Sequence, residues 1–320
     1  MQRYLVPLLI SVVLAIGLYG VTMLFSNVDQ TLSSIQKLPL SGWALVISLS
    51  LMNYILRFIR WEGYIEECSG KSVPRLQHFG IYISGFALTT TPGKAGEAIR
   101  SLYLQRYGVR LTHSLSTMFV ERLVDFISMV LLSIVVAVQF KEYSLMLLII
   151  GVILLTALPL IHYEPFLNFI ARTGERLPEK FSRLTNHLME LIRSSLNLLK
   201  NKYLYGGLII GVIAWGAEGT AFYYTLNSLD IDASIFLAIS IYAIAVLIGA
   251  LSFIPGGLGS TEAVMGFLLT AIGADLPSAV AATLICRMAT LWFAVVVGFI
   301  SMGTLALKNI MPVVVVKGES

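Results

Sequence analysis

Phe253-Ile254-Pro255-Gly256-Gly257-Leu258-Gly259-Ser260-Thr261-Glu262 interrupts a long apolar stretch of this chain, and Pro92-Gly93-Lys94-Ala95-Gly96-Glu97 interrupts an earlier one. Proline cannot donate a helix hydrogen bond and glycine admits positive φ, so each element can stop one half-helix and start another within a few residues. From Glu97 to Arg122 is 25 residues, and from Glu262 to Arg287 is again 25. A helix-breaking element is thus followed, at the same interval in both halves, by an arginine inside an apolar run. This is an internal repeat. Duplicated, interrupted segments in corresponding halves of a membrane protein point to a binding site near the midplane, where a broken helix needs a polar ligand or a wet cavity.

Composition places the chain in the membrane class. Hydrophobic residues make up 57% and charged residues 12%, roughly half the charged fraction of a soluble domain. Crossing the hydrocarbon takes roughly 20 helical residues. Runs of that kind lie near 5–25, 43–61, 113–139, 144–162, 204–226 and 278–307. The first lacks a small-residue cleavage site and exceeds a signal-peptide core, so it counts as a span. The stretches 78–106 and 234–273 each break at Pro-Gly, and each is bounded at both ends by residues assigned to one side: basic Arg60 before and Arg106 and Arg110 after the first, acidic Asp232 and Asp275 around the second. They read as re-entrant hairpins entering from opposite faces. The expected fold is an all-α integral membrane protein with about six full spans plus two re-entrant helical hairpins in an inverted-topology repeat. The expected divisions are 1–162 (first repeat and start of the second), 163–203 (a cytoplasmic amphipathic linker), 204–310 (the rest of the second repeat) and a tail 311–320.

Basic residues accumulate on the cytoplasmic side. Assigning Arg3, 57–78, 98–112, 163–203 and the tail to that side gives it seventeen of the twenty-two Lys and Arg, with both termini cytoplasmic and the cell membrane as location. The net charge of +4 follows from this bias; no basic stripe on a soluble module calls for nucleic acid. His78, His113, His162 and His187 are scattered, which predicts no metal. Cys68 and Cys286 fall in different environments, against a disulfide. Ser69-Gly70-Lys71-Ser72 does not complete a phosphate-binding loop, because Ile65 stands where glycine is required. No nucleophile motif or cofactor-holding module is present, so no cofactor is expected.

The chemistry-bearing candidates gather at the breaks. Each second half-helix presents unpaired N–H groups and a positive dipole end, for which an anion is the fitting guest. Lys94, Arg100, Arg122 and Arg287, with backbone at Gly93, Gly96, Gly256 and Gly257, form the expected anion-binding set. Glu97, Glu121, Asp125, Glu218 and Glu262 are the charge partners or proton-coupling groups, since an intramembrane arginine costs about 2.5 to 3.5 kcal/mol and must meet a counter-charge. Either the pairs only hold helices together or they lend charge to a headgroup; both roles are compatible. Arg57, Arg60 and Trp61 read as interfacial anchors at the end of the second span. Leu184, Leu188, Leu191, Ile192, Leu198 and Leu199 recur at helical spacing, as in a helix lying on the inner surface.

At Pro92-Gly93-x-x-Gly96-Glu97-Ala98-x-Arg100, Glu121-Arg122-Leu123-Val124-Asp125 and Phe253-x-Pro255-Gly256-Gly257-Leu258-Gly259-x-x-Glu262-Ala263, the chain resembles the flippase-like transmembrane domain family typified by the membrane portion of lysylphosphatidylglycerol synthases. The resemblance covers nearly the whole chain in layout. It implies re-entrant helices and transfer of a polar lipid between leaflets, whether aminoacylated phosphatidylglycerol or a polyprenyl-linked sugar, with a lipid-modifying enzyme or glycosyltransferase as partner. The chain ends at Ser320, so the aminoacyl-transferase domain of the full synthases is expected to be absent, and Lys94 stands where the family often has a small residue. The leading expectation is a lipid translocase without enzymatic activity. A carrier of a small soluble anion, a membrane-embedded lipid transferase and an accessory subunit of a separate enzyme are the rivals.

Overall fold

The computed structural model describes residue 13 and residues 16–91, 96–139, 145, 148–149, 151–153, 164–175, 185 and 189–313. Pro92, Gly93 and Lys94, the beginning of the first expected span, most of the one near 144–162 and the last residues of the tail lie outside the described residues. Those described are helical and contain no strand. An apolar helix α1, Ile16–Ser26, is followed by α2, Val28–Gln36, whose N-cap Asn27 accepts from the Gln30 amide at 3.3 Å. Next come α3, Leu40–Ser69, ended by Gly70 in the left-handed conformation, and the shorter α4, Arg75–Ser84.

After α4 the chain tightens into a 3₁₀ turn over Gly85–Leu88 and resumes as α5, Ile99–Leu104. The stretch expected to cross near 113–139 is α6, Leu111–Leu132, followed by the short α7, Ile134–Gln139. An amphipathic helix α8, Glu164–Glu175, precedes the long α9, Asn201–Ser228. The second interrupted segment is α10, Ile235–Leu251, a break, and α11, Ser260–Ala271, which packs back on α10. Capped by Asp275, α12 runs over Leu276–Leu307 with a wider π-turn at Met288–Trp292, immediately after Arg287.

Among the described residues, three helices, Leu40–Ser69, Lys202–Ser228 and Leu276–Leu307, are long and apolar enough to cross a membrane by length and composition. α6 has the length but carries Glu121, Arg122 and Asp125 at mid-helix. Segment 163–203 is not one continuous helix: 196–200 form turns that bury Leu198 and Leu199 against Tyr64, Val120 and Val124.

Helix contacts cross between the halves. α3 and α9 share the most extensive contact, where Asn53 Nδ2 donates to the Ala214 carbonyl at 2.9 Å. α10 packs on α6 and α7, and Ser240 Oγ donates to the Leu132 carbonyl at 2.5 Å. Reciprocally, α12 packs on α4 and the 85–88 turn, with Ser301 Oγ donating to the Gly80 carbonyl at 2.7 Å. The first arm of each interrupted segment therefore rests on the long helix that follows the other one. The approach at α12 is close: a Cβ on Gly298 would lie 2.2 Å from the Ala87 nitrogen and 2.7 Å from the Phe86 carbonyl carbon. Backbone cannot rotate away as a side chain can. Gly298→Ala is therefore expected to lower stability by about 1 to 3 kcal/mol, whereas Gly303→Ala, with open space around its Cβ position, leaves the melting temperature in detergent unchanged or slightly raised.

Candidate functional site

The 25-residue interval becomes a contact in both halves. Arg122 Nη2 lies 2.9 Å from Glu97 Oε2, and Arg287 Nε lies 2.6 Å from Glu262 Oε1. Each pair ties the start of a half-helix to the helix that follows it.

Glu262 holds three groups at once. It accepts from the Gly259 amide at 2.7 Å, which caps α11, from Arg287, and from Tyr19 Oη at 3.1 Å, itself bonded to Trp292 Nε1 at 3.2 Å. Arg287 reaches further and donates through Nη2 to the Gly256 carbonyl at 2.5 Å. The break is an actual interruption: Gly256 and Gly257 have φ of 64° and 65°, and Phe253 has φ of 54°, a region that L side chains avoid. The second break also meets the first, since Thr90 Cγ2 lies 3.5 Å from where a Gly256 Cβ would project.

Glu97 is held by Arg100 at 2.6 Å, by Arg122 and by the Thr89 hydroxyl at 2.9 Å. Glu121 accepts from Tyr82 Oη at 2.9 Å, Arg57 at 3.2 Å and Arg100 at 3.4 Å. Asp125 accepts from Arg60 at 2.5 Å, Arg57 at 3.1 Å and Trp215 Nε1 at 3.1 Å. Arg122 reaches Glu121 at 3.5 Å and Asp125 at 3.8 Å as well. Among the described residues, four guanidiniums here face three carboxylates.

The structure corrects the reading of Arg57, Arg60 and Trp61 as interfacial anchors. They are 4%, 2% and 0% exposed and belong to this cluster or its wall. The physical reason is counter-charge: the buried face of α3 carries Asn53, Arg57, Arg60 and Tyr64 at helical spacing, and α6 brings Glu121 and Asp125 opposite them. That spacing was the available signal, but sequence alone did not say that α6 would pack there. Arg100 is fully buried between the Trp61 and Tyr82 rings, at 4.6 and 4.8 Å. Gly96 and Gly257 already spend their amides within the breaks, on Thr91 Oγ1 and on the Ile254 carbonyl. Glu218 is buried and accepts from Tyr242 Oη.

A cavity of about 230 Å³ lies between the halves. Arg122 and Asp125 line it from α6, Arg287 from α12, Thr91 from the first break, and Gly256 and Gly257 from the second. Trp215, Met129, Val246 and Leu291 supply apolar wall. Its rim includes Leu251, Phe253 and Ile254, which are 45%, 71% and 44% exposed on the protein's outer face. Arg100, Glu97, Glu121, Glu218, Glu262 and Gly96 are not among the residues that line it. Among the described residues no group of three or more His, Cys, Asp or Glu is arranged to hold a metal ion.

Residues 8–298 match the family model described as the lysylphosphatidylglycerol synthase TM region. The chain belongs to this family and is a membrane protein. A UPF0104 membrane protein of Pyrococcus horikoshii is 23% identical over 97% of this chain and 98% of its own length. A second, from Methanothermobacter thermautotrophicus, is 25% identical over 76% of this chain and 81% of its own. A phosphatidylglycerol lysyltransferase of Staphylococcus epidermidis is 29% identical over 92 residues, 29% of this chain and 11% of that protein.

Removing one member of a buried ion cluster leaves its partners charged and dry. Asp125→Ala, which strands Arg60 and weakens Arg57, is expected to cost about 3 to 5 kcal/mol. Lys37→Ala breaks only the exposed Lys37–Asp230 pair at 2.9 Å and is expected to cost less than about 1 kcal/mol; thermal unfolding of both variants in detergent checks the contrast.

Proposed function

We propose that this protein is a lipid translocase in which an anionic headgroup passes through the cavity between the two breaks while its apolar chains stay in hydrocarbon. The observation that carries this reading is the cavity's wall. Cationic side chains from both halves, Arg122 and Arg287, face one space whose mouth is bordered by exposed apolar Leu251, Phe253 and Ile254. A carrier of a small soluble anion wants polar surroundings at its entrance; a lipid needs an apolar one at the side.

In this reading each half supplies span, span, re-entrant hairpin and span, in opposite orientation, for six spans in all. The reciprocal packing of α10 on α6 and of α4 on α12 supports it, because a pseudo-twofold axis exchanges those contacts. Side assignments agree with contacts between loops. Arg106 Nη1 donates to the Asn309 carbonyl at 2.7 Å, both on the side proposed as cytoplasmic, and Lys37 pairs with Asp230 on the other. With Arg57, Arg60 and Arg100 buried, seventeen less three leaves fourteen basic residues on the cytoplasmic side, still a strong bias.

Arg122 is the headgroup contact. Its side chain is 22% exposed and lines the cavity, whereas Arg57 and Arg60 are buried behind their carboxylates. Arg100, Arg57 and Arg60 act behind it by fixing Glu97, Glu121 and Asp125. Phosphatidylglycerol, the lipid in the name of the staphylococcal relative, has the required chemistry: one phosphodiester charge and a small polar head. Purified protein in liposomes is expected to speed the leaflet exchange of labelled phosphatidylglycerol. Arg122→Ala and Arg287→Ala are each expected to slow it roughly tenfold or more, the worth of a hydrogen bond to a charged group. Exchange at the wild-type rate in both variants overturns the reading.

A further inference from the structure

The two arginines that share the 25-residue interval are spent differently. Arg122 makes its bonds to carboxylates alone, on a side chain that is 22% exposed and reaches the cavity. Arg287 is 6% exposed and divides its donors between Glu262 and the carbonyl of Gly256, an atom of the break itself. That carbonyl is neutral. A guanidinium bonds an anionic oxygen more strongly than a neutral one, so a phosphate in the cavity competes with Gly256 for Arg287 while leaving Glu262 in place.

The segment Arg287 holds contains one strained residue. Phe253 is bulky and has φ of 54°, while Gly256, Gly257 and Gly259 take positive φ between 64° and 87° without the Cβ penalty. Phe253 and Ile254 are largely exposed at the cavity rim, so few contacts on that side resist displacement. Beneath the break, Thr90 is 2% exposed and faces Gly256.

We infer that Arg287 is a latch on the second break: a phosphate headgroup of net negative charge seated on Arg122 draws Arg287 away from the Gly256 carbonyl, and the 252–259 segment lifts off Thr90. This rests on the reading of the cavity as an anionic headgroup site and adds its regulation, a closure opened by the substrate. The arginines divide the work, Arg122 detecting the anion and Arg287 holding the break shut until it arrives.

The test reads accessibility rather than transport. Thr90→Cys is placed in a background carrying Cys68→Ser and Cys286→Ala, and its rate of modification by a small thiol reagent is measured in nanodiscs of phosphatidylcholine alone or mixed with phosphatidylglycerol. Phosphatidylglycerol is expected to raise the rate roughly tenfold, about what one charge-assisted hydrogen bond is worth. Adding Arg287→Gln is expected to give the high rate in both lipids, and adding Arg122→Gln the low rate in both. If Arg287→Gln does not fold, Arg287→Lys serves, because one nitrogen cannot replace bonds made by two.

No rise with either phosphatidylglycerol or inorganic phosphate, an Arg287 variant as slow as its parent, or a full rise in the Arg122 variant overturns the latch. Inorganic phosphate added to phosphatidylcholine nanodiscs separates the sources of the anion: a rise with phosphate alone supports the latch and assigns it to a soluble anion. The two proposals also fail separately. Absent lipid exchange with an intact accessibility response removes translocation and keeps the latch, whereas lipid exchange with constant accessibility removes the latch alone.

Discussion

A carboxylate at the start of a half-helix and a guanidinium 25 residues further on meet twice in this protein, and the arrangement of both halves follows from those meetings. In a low-dielectric interior neither charge is tolerable alone. The pair therefore decides where each broken segment sits against the next long helix. Glu262 makes the coupling tight, because the side chain that neutralises Arg287 also takes the Gly259 amide at the end of α11. A half-helix end, which exposes amides, thus becomes a fixed point of the structure. With both pairs formed, Gly256 comes against Thr90 and the two arginines face one space.

Around this common pair the halves diverge. The first surrounds Glu97 and Arg122 with Arg57, Arg60, Arg100, Glu121 and Asp125, walled by Trp61, Tyr82, Phe86 and Trp215. The second relies on Tyr19 and Trp292, with Glu218 bonded to Tyr242 elsewhere. Crowding fixes the first site: Arg100 lies between two rings and two carboxylates, so its guanidinium cannot turn toward a ligand. The second site is lightly held, with one carboxylate and one backbone carbonyl for Arg287. A rigid cationic wall facing a loosely tied one is the arrangement in which a single ligand can shift one side without disturbing the other.

How much of this was legible in the sequence differed by kind of signal. The helical class, the second break and the two 25-residue pairs were readable, because Pro-Gly punctuation, apolar composition and spacing are local properties. Membership in the lysylphosphatidylglycerol synthase membrane family was readable from the same motifs. The burial of Arg57, Arg60 and Trp61 was not. An arginine at the end of an apolar run looks the same whether it reaches for water or for a carboxylate on another helix, and only the packing of α3 against α6 distinguishes them. The amides of Gly96 and Gly257 were misjudged for a related reason, since Thr91 and the Ile254 carbonyl satisfy them within the breaks. Of the expected ligand set at the breaks, Arg122, Arg287, Gly256 and Gly257 line the cavity, and Arg100 and Gly96 do not.

The energetics of the buried cluster argue about purpose. Replacing buried ion pairs with well-packed apolar residues is commonly neutral or stabilising, so the seven charged side chains of this cluster are a poor choice if stability is the only demand. Their value lies in pre-organisation. Arg122 is held by three carboxylates whose own positions are fixed by Arg57, Arg60, Arg100, Tyr82 and Trp215, so its guanidinium is oriented at the cavity wall before any ligand arrives. An anion reaching it need not reorganise water or side chains to be solvated. Under the proposed function this is the central requirement: a phosphate leaving the membrane surface loses its hydration, and the protein must offer oriented donors at once, yet not so many that the headgroup stays. One arginine already oriented at the cavity wall and a second that must give up the Gly256 carbonyl to take part meet both conditions.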